Sequence, residues 1–256
     1  MPSDTAAAPR RAFSLSGTGL KRLACLSMLI DHIGASCLEN GVLYGTAAAD
    51  TLSLAPAVPL QTLDLVLRAV GRLAFPIYCF LLVEGFMHTH SLRRYTLRLL
   101  VFALVSEIPF DAAFFDGIWC PAYQNVYWTL LAGLLCLAAL RTRSAAPSPA
   151  QLKDPLSLVY IAAFAAAAEL CKTDYGALGV LLIVQLYLYR GTPRMRNLLG
   201  CCLTCYEVTA PLAFVPISAY NGQRGRCARW EQYAFYAFYP VHLTALALIT
   251  HLLLRA

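Results

Sequence analysis

Charge is scarce in this sequence. Of 256 residues only 13% are Asp, Glu, Lys or Arg, while 59% are apolar and the mean hydropathy is +0.60. An ordinary soluble domain carries about 25% charged and 45–50% apolar residues. So few charges cannot cover a water-exposed surface, which excludes a soluble globular protein. The chain also lacks an interior segment that reads as a linker between two folded units, an internal repeat and a strongly basic domain. One domain is therefore expected at residues 21–256, preceded by a polar, basic arm at residues 1–20, with no nucleic-acid partner. A cleavable signal is not expected either, because the first apolar run is interrupted by Asp31 and His32 and offers no small-residue cleavage site.

Long apolar runs take the place of these features. A membrane helix needs about 20 mostly apolar residues, and eight segments qualify: about Lys21 to Tyr44, Leu63 to Met87, Arg94 to Phe115, Val126 to Leu140, Leu156 to Cys171, Tyr175 to Tyr189, Leu198 to Ala219 and Phe235 to Leu254. The expected fold is an all-α, polytopic transmembrane bundle of about eight spans, with seven or nine as alternatives because several segments are short or polar. Pro56 and Pro59, the stretch from Arg141 to Pro155 and the stretch from Asn221 to Trp230 read as loops. Fourteen of the twenty basic residues then fall on one side: Arg10, Arg11, Lys21, Arg22, Arg93, Arg94, Arg98, Arg141, Arg143, Lys153, Arg190, Arg194, Arg196 and Arg255. The positive-inside rule makes that side cytoplasmic, with both termini on it. The outer loops hold Asp50, Asp116 and Lys172, and the last of them breaks the rule with Arg224, Arg226 and Arg229.

Ionisable residues inside the spans are costly and point to function. At 1.5 Å per helical residue, Asp31 and His32 lie roughly 15 Å from the inner face, Arg72 roughly 13 Å from the outer face, and Glu107 and His242 roughly 10 Å from the outer face. Five polar groups from four helices thus share a layer. Two histidines, two carboxylates and an arginine can supply a base, its orienters and a counter-charge for a developing anion. Arg72 with Glu107 can equally be an ion pair that fixes helix packing, and either histidine a satisfied core residue. His32 is the first choice for the base and His242 the substitute. Asp31 or Glu107 is expected to pair with Arg72 or His242.

A second set, Glu84, His88, Arg93 and Arg94, lies at the inner end, where it suits the phosphates of a nucleotide-like donor or serves only to orient the chain. Asp111, Gln124, Asn125, Asp174, Tyr175 and Asn221 either line an outer vestibule or simply wet the helix ends; with Arg224 and Tyr239 they are the candidates for binding substrate. Ten cysteines include the tight group Cys201, Cys202 and Cys205, but no second ligand pair stands at zinc spacing, and no metal is expected. Cys120 and Cys227 both fall in outer loops, where a disulfide can form.

The strings MLIDHIG from Met28, GRLAFPIYCFLLVEGFMHT from Gly71, SEIPFD from Ser106, QNV from Gln124, TDYGALGVL from Thr173, YNGQRG from Tyr220 and FYPVHL from Phe238 resemble those of the TraX family, in that family's order. The resemblance implies a bacterial inner-membrane, multi-pass acyltransferase that draws acetyl-CoA from the cytoplasm and acetylates a pilin-like peptide or a glycan at the outer face. The competing expectations are a proton-coupled transporter, for which the buried Asp, His and Glu are a relay, and a non-enzymatic partner in pilus assembly.

Overall fold

The computed structural model describes residues 14–43, 54–115 and 117–254. The expectations for Arg10, Arg11, Tyr44, Asp50, Asp116 and Arg255 lie outside the described residues. Most of those described are helical, with two isolated bridges and no strand among them.

Ten α-helices follow in order. Helix α1, Gly17–His32, continues as a wider π-helical stretch, Ile33–Leu43; α2 is Leu54–Gly71 and α3 Ala74–His88. Then come α4 (Leu92–Phe114), α5 (Val126–Arg143), α6 (Pro155–Leu170), α7 (Gly176–Leu188), α8 (Pro193–Thr204), α9 (Phe214–Ser218) and α10 (Arg229–Ile249). Side-chain caps mark several starts: Ser16 accepts from the Gly19 amide, Ser91 from Arg94, Asn125 from Tyr127 and Asp154 from Ser157. Each satisfies an amide that has no partner within its helix. Among the described residues, three helical stretches are long and apolar enough to cross a membrane: Pro59–His88, which takes in most of α2 and all of α3, Val126–Arg143 and Arg229–Leu252; Pro155–Leu170 and Gly176–Leu188 are apolar but shorter. The core surrounds α7, which is buried from Gly179 to Leu188 against Ile77, Phe80, Leu134 and Leu137.

Two expected spans are not single helices. The run from Leu63 to Met87 breaks between Gly71 and Ala74. Pro76 has no amide to offer the Arg72 carbonyl four residues earlier, and its ring crowds that carbonyl. Ser27 of α1 donates its hydroxyl to the carbonyls of Val70 (2.7 Å) and Gly71 (3.1 Å), two of those left open by the break. Pro56 and Pro59, read as loop residues, lie instead within α2. The run from Leu198 to Ala219 is a hairpin: α8 enters the bundle, the chain turns at residues 205–209 and returns through Ala210–Ala213 and α9. Pro211 and Pro216 interrupt the returning arm.

That hairpin changes the topology. Tyr220 pairs with Leu15, the Thr18 hydroxyl donates to the Arg224 carbonyl (2.9 Å), and Arg22 pairs with Glu231 (2.6 Å). The loop bearing Arg224, Arg226 and Arg229 therefore lies beside the start of α1, at the basic end, which corrects its expected place on the outer side. Helix α10 runs parallel to α1: Arg22 meets Glu231, His32 meets His242 and Ser36 meets Thr250. It ends at the far end, where His251 contacts the Ala112 carbonyl near the close of α4. The described residues thus traverse the bundle seven times, by α1, α2–α3, α4, α5, α6, α7 and α10. The two ends of the described chain lie at opposite ends of the bundle, which differs from the expected order of about eight spans; the termini themselves lie outside the described residues. A C-terminal alkaline phosphatase fusion is expected to be active, and one at Arg226 inactive. An inactive C-terminal fusion in a stably expressed protein contradicts the seven-pass order.

Candidate active site

Where α1, the α2–α3 break, α4, α5 and α10 converge lies a cavity of about 370 Å³, on whose wall stand Asp31, His32, Arg68, Arg72, Asp174 and Tyr239. Ten further Phe and Tyr rings supply much of the remaining wall, including Phe75, Tyr127 and Phe238. Four of the five expected layer residues meet here or directly behind it.

The histidines form a directed pair. His242 Nδ1 lies 2.5 Å from the Phe238 carbonyl oxygen, one turn earlier on α10. A carbonyl only accepts, so Nδ1 of His242 carries the proton, and with a neutral ring its Nε2 is an acceptor. His32 Nδ1, 2.7 Å from that Nε2, must then be the donor. This leaves the lone pair of His32 on Nε2, 4.0 Å from Asp31 Oδ2. Phe114 and Tyr239 pack edge-on against the His32 ring and hold its plane. His242 is not among the residues of the cavity wall and stands behind His32.

The charges pair differently from the expectation. Arg72 is bound by Glu207 at the hairpin tip (2.7 Å), and Asp31 by Arg68 (2.7 Å). Thr209, two residues beyond Glu207, donates to the Ala69 carbonyl (2.6 Å), so the tip is fastened to the α2–α3 break at two points. Glu107 is not part of the site. It accepts from Asn125 and from the Trp128 indole (3.0 Å) on the seam between α4 and α5. Asn125 is absorbed on the same seam, since it also donates to the Ala103 carbonyl and accepts from the Tyr127 amide.

Of the expected vestibule residues, Asp174, Tyr175 and Tyr239 line the cavity. Tyr123 donates its hydroxyl to Asp174 (2.9 Å), and Tyr175 stacks on Phe75 at 3.6 Å between centroids. Asp111 accepts from the Cys120 amide (2.8 Å), and the Gln124 backbone bridges to Lys172 and Asp174; both tie loops together behind the cavity. Asn221 and Arg224 belong to the opposite, basic end. So does Cys227, which is remote from Cys120; both are free thiols, which answers the question that the sequence left open about a disulfide between them. No group of three or more metal-binding side chains occurs among the described residues.

A second cavity, about 580 Å³, opens at the basic end and is lined by Lys21, Arg98, Arg224, His88, Tyr95 and Glu84, among others. Glu84 is held at two points by Arg190 (2.7 and 3.2 Å), so its charge is neutralised, and His88 Nδ1 donates to the Glu84 carbonyl (2.8 Å). Arg93 and Arg94, expected here, are exposed and do not line the cavity. Arg98, one turn further along α4, takes that place, with its guanidinium over Tyr95 and Tyr236.

Sequence reasoning missed Arg68 in the first cavity, Glu207 as the partner of Arg72, and Lys21 and Arg98 in the second cavity. Two had readable signals. Glu207 is a carboxylate inside an apolar run, which is the criterion that singled out Glu107. Arg68 stands four residues before Arg72 and shares its helix face.

The chain is 31% identical over 264 aligned positions to the probable fimbrial assembly protein FimC, serogroup H1, of Dichelobacter nodosus, an alignment that covers 92% of this chain and 96% of that protein. No solved structure matches the chain. A family model described as TraX protein matches residues 16–250, which takes in every helix of the bundle from the start of α1 to the end of α10. By both matches, the chain belongs to the TraX family.

Proposed function

We propose that this chain is a multi-pass inner-membrane acyltransferase, with its basic end in the cytoplasm, that moves an acetyl group from acetyl-CoA to an amine or hydroxyl acceptor entering from the other side. The observation that carries this reading is His32, a residue of the cavity wall whose Nε2 is left unprotonated by the His242–Phe238 chain, beside a second, basic cavity. A neutral imidazole held this way accepts the acceptor's proton as the nucleophile attacks the thioester carbonyl. Asp31 stands close enough to stabilise the imidazolium that forms. The new C–N or C–O bond forms, the C–S bond breaks, and the proton held on His32 passes to the leaving coenzyme A thiolate. Arg72 and the hydroxyls of Tyr127 and Tyr239 supply donors for the tetrahedral oxyanion. The name of the Dichelobacter relative suits a pilus or fimbrial subunit as the acceptor, and equally suits a non-enzymatic assembly role. Labelled acetyl-CoA offered to the purified protein with a free-amine pilin-type peptide or an amino sugar separates these. Label transferred to either acceptor is the expected result. Binding of subunit without transfer favours assembly, and transmembrane flux without transfer favours a transporter.

The donor's phosphates are assigned to Lys21, Arg98 and Arg224. Arg98→Ala and Arg224→Ala are expected to raise the KM for acetyl-CoA several-fold with little change in kcat, because phosphate contacts are equal in ground and transition states. Arg93→Ala and Arg94→Ala are expected to leave KM unchanged. The reverse pattern in steady-state kinetics returns the donor to the exposed arginines.

A further inference from the structure

The two cavities share a wall. Tyr78, Tyr127, Leu130 and Phe235 line both of them, one ring from α3, a ring and an aliphatic side chain from α5, and one ring from α10. Each is held from a different side. The Tyr78 hydroxyl is hydrogen-bonded to Cys25 Sγ of α1 at 3.0 Å. The Tyr127 ring meets Tyr239 edge-on, with centroids 5.1 Å apart at 88°. Leu130 is 6% exposed and packs in the main core. The Lys21 ammonium lies 5.5 Å from the centroid of the Phe235 ring, so the wall begins where the basic cavity ends. Side chains packed this closely have little freedom to move apart.

Resting on the acyltransferase reading, we propose that Tyr78, Tyr127, Leu130 and Phe235 form an acyl-length filter that admits an acetyl group and rejects longer acyl chains. A donor anchored at Lys21, Arg98 and Arg224 can present its thioester to His32 only by passing its acyl group between these four side chains. The filter needs no polar recognition of the acyl group, which has none to offer beyond its carbonyl. Discrimination follows from volume alone, and one methylene too many in a tight apolar pocket is worth roughly 10–200-fold. Removing most of Leu130 or Phe235 opens the gap from two separate helices. Phe235 is only half-buried, so its truncation is the milder test of the pair.

Binding of the donor alone tests this without an identified acceptor. Coenzyme A, acetyl-CoA, butyryl-CoA and hexanoyl-CoA are titrated calorimetrically into the purified full chain in nanodiscs, for the wild type, Leu130→Ala and Phe235→Ala, with thermal melts to establish folding. The expected result is that butyryl-CoA and hexanoyl-CoA bind wild type at least tenfold more weakly than acetyl-CoA, and that this gap shrinks at least fivefold in either folded variant. Equal affinities of acetyl- and butyryl-CoA for the wild type overturn the filter and leave the acyltransferase reading standing. A gap that persists in Phe235→Ala and in Leu130→Ala also overturns it. Absence of binding by any coenzyme A species overturns the filter together with the reading on which it rests.

Discussion

His32→Ala is expected to lower kcat by about 10²–10⁴-fold, the usual contribution of a general base, while leaving a folded, membrane-inserted protein. His32 touches the cavity, and its Nε2 is the ring nitrogen left unprotonated once Phe238 and His242 have set the tautomers. His242 acts one step removed. His242→Ala takes away the acceptor for His32 Nδ1–H, so the imidazole can rotate or adopt the other tautomer, and a smaller loss of kcat follows. His242→Gln restores most of it, because a glutamine carbonyl oxygen can stand near the lost Nε2 and accept the same hydrogen bond. Recovery in Gln but not in Ala separates orientation from simple packing. In the wild type, turnover is expected to fall on acidification, since protonated His32 has no lone pair to offer. Normal turnover in His32→Ala removes it as the base. Should Asp31→Asn then abolish activity, a carboxylate holds that role.

Gly71→Ala is expected to lower thermal stability and turnover together. A Cβ on Gly71 comes 2.1 Å from the Asp31 Cβ and 2.3 Å from its Oδ1. The Asp31 Cβ is fixed to the α1 backbone and no rotamer moves it away, so α1 and the α2–α3 break must separate. Overpacking of this kind typically costs about 1–3 kcal/mol, and each kcal/mol lowers Tm by roughly 2–4 °C in a chain of this size. The separation also strains what the contact brings together: the Ser27 bonds to Val70 and Gly71, and the Asp31–Arg68 ion pair beside His32. Gly191→Ala is the matched control, because a Cβ there meets nothing within 4 Å. Melting curves in detergent and turnover of both variants provide the check. Gly71→Ala with wild-type values for both shows that the helices are not packed as tightly as this contact requires.

The layer of ionisable residues was readable because depth depends only on position along a helix. His242 was placed near mid-depth by counting down from an outer Phe235, whereas α10 begins at Arg229 at the basic end. The middle of a helix stays in the middle when its direction is reversed, so the layer survived a wrong topology. The topology itself failed on one segment. The basic residues Arg224, Arg226 and Arg229 fall at the same end of the bundle as the start of α1 once Leu198 to Ala219 is a hairpin rather than a crossing. Glu207, Pro211 and Pro216 within that run were the local signals of the difference.

Composition and local pattern alone determined that the chain is helical and largely apolar, where most helices begin and end, and that Asp31, His32, Arg72 and His242 share a depth. These properties depend on residue type, caps and the rise along one helix, all of which act over a few neighbours in sequence. Only the tertiary structure decided that Arg72 faces Glu207 rather than Glu107, that Arg68 holds Asp31, that His242 stands behind His32, and that two cavities meet at four side chains. Such pairings depend on how each helix is rotated about its axis and which helix lies beside it. Those rotations are set by close contacts between residues far apart in the chain, such as Gly71 against Asp31, and no periodicity within a single helix encodes its partner.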